Sequence, residues 1–151
     1  MSGGWAPFGR RTDDSAADPA EPQVPATPAP TAAALPREPR RRMAVITCMD
    51  SRIDPLRDLG LARGDAMILR NAGAQASDDV ERSLRFAHEN LGVIEVWLLG
   101  HSDCVAHGGI DDAAIGELRR GATRLRSVLP GVTVRVLFLD FARGAAVPVE
   151  R

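Results

Sequence analysis

The 151-residue chain carries 20 acidic and 19 basic side chains, a formal net charge of −1, with 44% hydrophobic and 26% charged residues. That is the composition of one soluble globular domain, and its balanced charge offers no overall positive field for nucleic acid or an anionic membrane surface. Two cysteines are too few for a disulfide scaffold. No apolar run reaches the ~18 residues of a membrane span, since Val93 to Leu99 is broken by Glu95. All the bases are arginine, and lysine and tyrosine are missing, which we read as coding bias.

Residues 1–42 hold eight of the eleven prolines and nine alanines, ending in Arg40-Arg41-Arg42. Without a periodic apolar pattern such a stretch cannot offset its conformational entropy, so a disordered tail is expected there and a folded domain over 43–151. Trp5 and Phe8 are too isolated to argue a docking motif. Arg10-Arg11 resembles an export signal, but the acidic and polar Thr12-Asp13-Asp14-Ser15 follows where such a signal is apolar, so a cytoplasmic protein is expected.

From Met43 the texture changes. Met43 to Cys48 reads as a buried strand, Ala66 to Leu69 as a second, Val93 to Leu99 as a third and the alternating Val132 to Leu139 as a fourth. A short helical turn at Pro55 to Leu59 joins the first two. The strongest helix spans Asp79 to Leu91: Val80, Leu84, Ala87 and Leu91 draw one apolar stripe, Asp78 and Glu81 suit a capping box, and Gly92 suits a left-handed C-cap. A second helix covers Asp112 to Leu129, weakened by Gly116 and Gly121 and stopped by Pro130-Gly131. Strands alternating with helices predict an α/β fold, a mainly parallel central sheet of about four strands flanked by helices.

The polar residues collect at strand ends. Cys48, Asp50 and Arg52 follow the first strand, Arg70-Asn71-Ala72-Gly73 the second, and His101-Ser102-Asp103-Cys104 the third. In open parallel sheets, sites form outside the carboxyl ends of the strands, so the three loops point to one pocket. Two thiols and an imidazole within one pocket suit zinc, which favours sulfur and nitrogen ligands in a tetrahedron and keeps an open position when catalytic. Cys48, His101 and Cys104 form that candidate set. Spacing alone also allows ordinary buried thiols beside a strand-end histidine, or a disulfide.

Cys48-Met49-Asp50-Ser51-Arg52 paired with His101-Ser102-Asp103-Cys104, with Arg70-Asn71-Ala72-Gly73 between them, resembles the beta-class carbonic anhydrases. The resemblance is close over Met43 to Gly108 and loose beyond. It implies that Cys48, His101 and Cys104 hold Zn²⁺ and that Asp50 and Arg52 form a gating pair. Asp50 would be a fourth ligand in a closed state and would open the site when Arg52 takes its carboxylate. Asn71 and Gly73 are the candidate substrate-binding residues. The implied reaction is reversible hydration of CO₂ to bicarbonate and a proton by zinc-activated water, in a homodimer or larger homo-oligomer, with no nucleic-acid or membrane partner. Hydrolysis of CS₂ or carbonyl sulfide at the same site is the chemical alternative, and a catalytically silent zinc module the non-enzymatic one. Val105 stands where the family has glycine, and the segment from Cys104 to the last strand is short.

The remaining polar residues carry plainer expectations. His88 is expected to be solvated on its helix, His107 to be a loop histidine rather than a proton relay, and Asp103 to orient a ligand or cap its turn. The arginines at 119, 120, 124 and 126 are expected on a solvated face.

Overall fold

The computed structural model describes residues 31–149. Its strands are β1 (Met43–Cys48), β2 (Ala66–Asn71), β3 (Glu95–His101), β4 (Thr133–Asp140) and β5 (Ala145–Pro148). Its helices are α1 (Pro55–Asp58), α2 (Asp78–Leu91) and α3 (Asp111–Val128). The sheet order is β2-β1-β3-β4-β5, with the first four strands parallel and β5 antiparallel to β4.

Burial explains that order. Every residue of β1 is buried, as a central strand with both faces covered requires, whereas β2 is half-buried at the edge. One face of the sheet packs Ala44, Ile46, Val96, Leu98, Val134 and Val136 against Val80, Leu84 and Ala87 of α2 and Leu118, Ala122 and Leu125 of α3. The other face gathers Met43, Val45, Leu99 and Leu139 with Ile53 and Leu61 from the connection between β1 and β2.

Two glycines let α3 lie close. A Cβ at Gly100 on β3 would overlap Leu118 Cδ1, and one at Gly121 on α3 would stand 3.2 Å from both Ala76 Cβ and Leu98 Cδ2. Gly121, which weakens the helix by propensity, therefore serves its packing.

Several boundaries differ from the sequence reading. α2 is capped by Ser77, whose Oγ accepts from the Val80 amide at 3.4 Å, so Asp78 lies inside the first turn and no capping box forms. Gly92 ends the helix at φ 69°, as expected. The sheet has a fifth strand, carrying Pro148, which an edge position tolerates because no ladder donor is needed there. Arg40 and Arg41, grouped by composition with the tail, donate backbone hydrogen bonds to Gly64 and Asp65, and the Arg42 carbonyl accepts from Ile94 and Glu95. Pro39 is buried. Trp5, Phe8 and Arg10-Arg11 lie outside the described residues. No described helix is long and apolar enough to cross a membrane.

Candidate metal centre and the Asp50–Arg52 pair

Cys48 is the last residue of β1 and His101 the last of β3, and these strands are parallel neighbours. Their side chains therefore emerge at the same sheet edge, as the topology predicts. The chain turns immediately after β3, with Asp103 at φ 55°, a left-handed conformation that aspartate tolerates, and this brings Cys104 back to the strand ends.

The ligand atoms of Cys48, His101 and Cys104 all lie within 4.8 Å of one another, and the residues are 1–4% exposed. Cys48 Sγ and Cys104 Sγ stand 3.9 Å apart, far beyond the ~2.05 Å of a disulfide, and both are free. His101 Nδ1 lies 2.9 Å from the Ser102 carbonyl. A carbonyl can only accept, so Nδ1 carries a proton and Nε2 presents a lone pair. Nε2 is the one buried side-chain nitrogen or oxygen among the described residues that has no hydrogen-bond partner. An orphaned imidazole nitrogen aimed at two thiols is what a metal site looks like from the protein side.

The electrostatics suit that use. Burial pushes the His101 pKa down, which keeps the ring neutral and able to donate its lone pair. Burial likewise pushes the Cys104 thiol up, and the neighbouring Cys48 adds to the effect. A metal ion there would displace a thiol proton.

Asp50 is held apart from this cluster. Its Oδ1 accepts from Arg52 Nε at 3.0 Å and from the Arg52 amide at 2.9 Å, while Oδ2 accepts from Arg52 Nη2 at 2.7 Å. These hydrogen bonds from Arg52 hold the carboxyl well below the usual carboxylate range. Arg52 is shared: its Nη1 reaches Asp103 Oδ2 at 3.1 Å, and its guanidinium lies 4.6 Å from the Phe141 ring centroid. Asp103, expected to orient a ligand or cap its turn, instead anchors the arginine. A cleft of about 290 Å³ opens over both thiols, bordered by Met49, Asp50, Ala72, Val105 and Ala106. Val105 is 85% exposed, so it borders the cleft without filling it.

Asn71 and Gly73 reach the same end of the sheet, engaged with protein. The Asn71 side chain donates to Gln75 O and accepts from Gln75 N, both at 2.8 Å. Gly73, at φ 80°, points its amide at Cys48 Sγ, 3.3 Å away. His107 Nε2 lies 3.1 Å from the Gly73 carbonyl. His88 is half-buried with Nδ1 at 2.7 Å from Val93 O, so it is not simply solvated. The α3 arginines are exposed in part but mostly engaged: Arg124 bonds Asp78 and Glu81, Arg120 bonds Glu117, and Arg119 and Arg126 reach the Val149 and Val134 carbonyls.

Arg70, placed by the sequence at the end of the second strand, is given no role there. Its guanidinium donates to the carbonyls of Cys48 at 3.0 Å, Ile53 at 3.2 Å and Asp50 at 2.7 Å, spanning the segment that carries Cys48 and the Asp50–Arg52 pair. The signal available was a five-donor side chain at a strand end, beside a loop whose carbonyls have no strand to pair with.

The chain has known relatives. Over 70 residues the chain is 46% identical to beta-carbonic anhydrase 1 of Mycobacterium tuberculosis, covering 46% of this chain and 43% of that protein. Over 64 residues it is 41% identical to a carbon disulfide hydrolase of an Acidianus species, covering 42% of this chain and 31% of that one. The chain thus matches less than half the length of these curated relatives. The crystal structure of the carbonic anhydrase from Streptococcus mutans superposes with a TM-score of 0.71 at 32% identity, over 77% of this chain and 86% of that one. A family model described as carbonic anhydrase matches residues 43–131, more than half of the chain. With the paired Cys-x-Asp-x-Arg and His-x-x-Cys motifs folded onto one sheet edge, the chain belongs to the beta-class carbonic anhydrases.

Proposed function

We propose that this protein is a zinc-dependent enzyme that hydrates CO₂ reversibly to bicarbonate and a proton. One observation carries the reading: His101, whose Nε2 is buried without a partner, clusters within 4.8 Å of two thiols that stand 3.9 Å apart. Two sulfurs bound to one tetrahedral zinc at ~2.3 Å stand about 3.8 Å apart, so the donor set fits that ion. Cys48, His101 and Cys104 would hold it. When bound, zinc supplies Lewis acidity that makes water a nucleophile toward the carbon of CO₂ at neutral pH.

The chain's own residues do the rest. Asp50, kept ionised by Arg52, accepts a hydrogen bond and orients the nucleophile; its depressed proton affinity suits it to orientation rather than to storing the proton. Arg52 keeps that carboxylate away from the ligand cluster, the open arrangement of the gate, and release of Asp50 from Arg52 would close it. Asn71 and Gly73 act by shaping the loop behind Cys48. Membership of the carbonic anhydrase family supports a homo-oligomer as the working form.

A second reading, hydrolysis of CS₂ or carbonyl sulfide, draws on the likeness to a carbon disulfide hydrolase and on the apolar cleft border of Met49, Ala72, Val105 and Ala106. Metal analysis with a stopped-flow pH-indicator assay tests the first reading, and sulfide release from CS₂ tests the second. Zinc near one per chain with hydration above the buffer rate is expected. Zinc-loaded protein inactive on all three substrates at about pH 8.5 would leave a silent metal-binding module.

A further inference from the structure

His107 lies where the turn that follows Cys104 meets the loop after β2. It closes the short 3-10 turn Val105–His107, and its amide donates to the Cys104 carbonyl at 3.0 Å, so its backbone is fixed to one cysteine. Its ring crosses to the loop after β2, with Nε2 3.1 Å from the Gly73 carbonyl. Because that oxygen can only accept, Nε2 is the donor. Gly73 in turn gives its amide to Cys48 Sγ at 3.3 Å. A chain of contacts therefore runs from Cys104 through His107 and Gly73 to Cys48.

The loop at the centre of this chain does not hold its shape by intrinsic preference. Gly73 and Ala74 have φ of 80° and 56°, and left-handed backbone at a buried alanine is costly unless neighbours enforce it. The two Asn71–Gln75 hydrogen bonds brace the loop from outside and His107 from inside. The fit is close: a Cβ at Gly73 would stand 2.7 Å from His107 Nε2 and 3.2 Å from Ala106 Cβ.

We propose that His107 is a positioning residue for the metal centre, a latch that holds the Gly73 carbonyl and so aims the Gly73 amide at the sulfur of Cys48. The inference rests on the reading of Cys48, His101 and Cys104 as metal ligands. It assigns His107 neither proton relay nor contact with substrate. A hydrogen bond to a ligating sulfur fixes the direction of its lone pairs, and partners of this kind set metal affinity.

Cobalt(II) is the probe, because thiolate-to-cobalt absorption reports the sulfur ligands directly. The full chain, His107→Phe, which keeps a ring but no donor, and His107→Gln, which keeps a donor, are titrated with cobalt(II), and the thermal midpoints of the metal-free forms are compared. The phenylalanine variant should bind cobalt about 10- to 100-fold more weakly and show an altered charge-transfer band at saturation. The glutamine variant should recover most of both, with the metal-free midpoints close together. His107→Ala serves if the phenylalanine variant does not fold. An unchanged affinity and spectrum in the donor-less variant overturns the latch. So does equal loss in the phenylalanine and glutamine variants alongside a lower metal-free midpoint, which would mark His107 as merely structural. A wild-type chain that binds no cobalt removes the metal reading and the latch with it.

Discussion

Asp103 anchors Arg52 beside its pair with Asp50: Asp103 Oδ2 takes Nη1 at 3.1 Å, and the Asp103 carbonyl takes, at 3.3 Å, the Nη2 that also serves Asp50. Arg52 follows β1 and Asp103 follows β3, so the arginine bridges the loops that carry the two cysteines. The Phe141 ring beneath the guanidinium adds a third hold. Under the proposed gating role, these holds would keep Arg52 in place when Asp50 leaves it, and only the carboxylate would need to move.

Arg52 and Asp103 should differ sharply on substitution. Arg52→Ala strands Asp50 without its bidentate partner and frees it to approach the ligand cluster, so hydration should fall on the order of 10²-fold while zinc stays near one per chain. Asp103→Asn replaces one exposed, solvent-screened ion pair by a neutral hydrogen bond and leaves the Asp50 pair intact, so the loss should stay under about tenfold. Equal losses in the two variants would mean that Arg52 acts as a scaffold across the loops and not as the partner of Asp50. Stopped-flow rates with metal analysis of the same samples decide it.

The ligand set makes a simpler demand. Cys48→Ser, Cys104→Ser and His101→Ala should each lose zinc and should fall to about the same thermal midpoint as chelator-treated wild type, because metal binding free energy is folding free energy where the site exists only in the folded chain. The serine variants change volume little, so their loss reports the metal and not packing. Full zinc occupancy in Cys104→Ser would remove Cys104 from the set.

What the sequence made legible was whatever repeats or alternates along the chain. The apolar stripe Val80, Leu84, Ala87, the apolar run Met43 to Ile46 that opens β1 and the glycine at 92 predict their elements because period and cap chemistry are local. The meeting of Cys48, His101 and Cys104 followed from parallel topology, since neighbouring parallel strands end on one edge. What stayed hidden mostly ends on backbone carbonyls. Arg70 on Cys48, Asp50 and Ile53, His107 on Gly73, His88 on Val93, and Arg40 on Gly64 all bond to groups that every residue carries, so the partner leaves no mark in the sequence. The Ser77 cap was hidden differently: Ser77 and Asp78 both suit the position, and the extended backbone of Ser77 decides between them.

Packing of α3 on the sheet predicts a result at Gly100, the residue before His101 in β3. A Cβ at Gly100 would overlap Leu118 Cδ1, and both are fully enclosed. Gly100→Ala should therefore cost about 1–3 kcal/mol, the usual penalty of overpacking, despite the gain in strand rigidity. Trimming the obstacle tests the cause: Gly100→Ala combined with Leu118→Val should lose less than the two single variants summed, by calorimetry or denaturant titration. Strict additivity would place the cost elsewhere.

The pH dependence separates the gate from the metal centre. The Asp50 pKa is lowered by its hydrogen bonds from Arg52, so its folded value lies below the ~3.9 of the unfolded chain. The stability it contributes is complete above that value and is lost only as pH falls through the lower, folded one. Between pH 6 and 9 the Asp50–Arg52 pair should thus be constant. His101 is also lowered, by burial, so protons favour the unfolded chain once pH drops below about 6.5, and the metal-free fold should weaken from there toward acid. Cys104 is shifted the other way, upward, so the metal-free protein keeps that thiol protonated at pH 7 and a metal must displace the proton. Zinc affinity should therefore rise about tenfold per pH unit for each proton displaced between pH 6.5 and 8.5, with neutral His101 contributing none. Competition with a chromophoric chelator across that range, and calorimetry in two buffers of different ionisation enthalpy, measure the slope and the proton count. A flat affinity over those two units would show that the thiols are already ionised without the metal, and the upward shift at Cys104 would then be wrong.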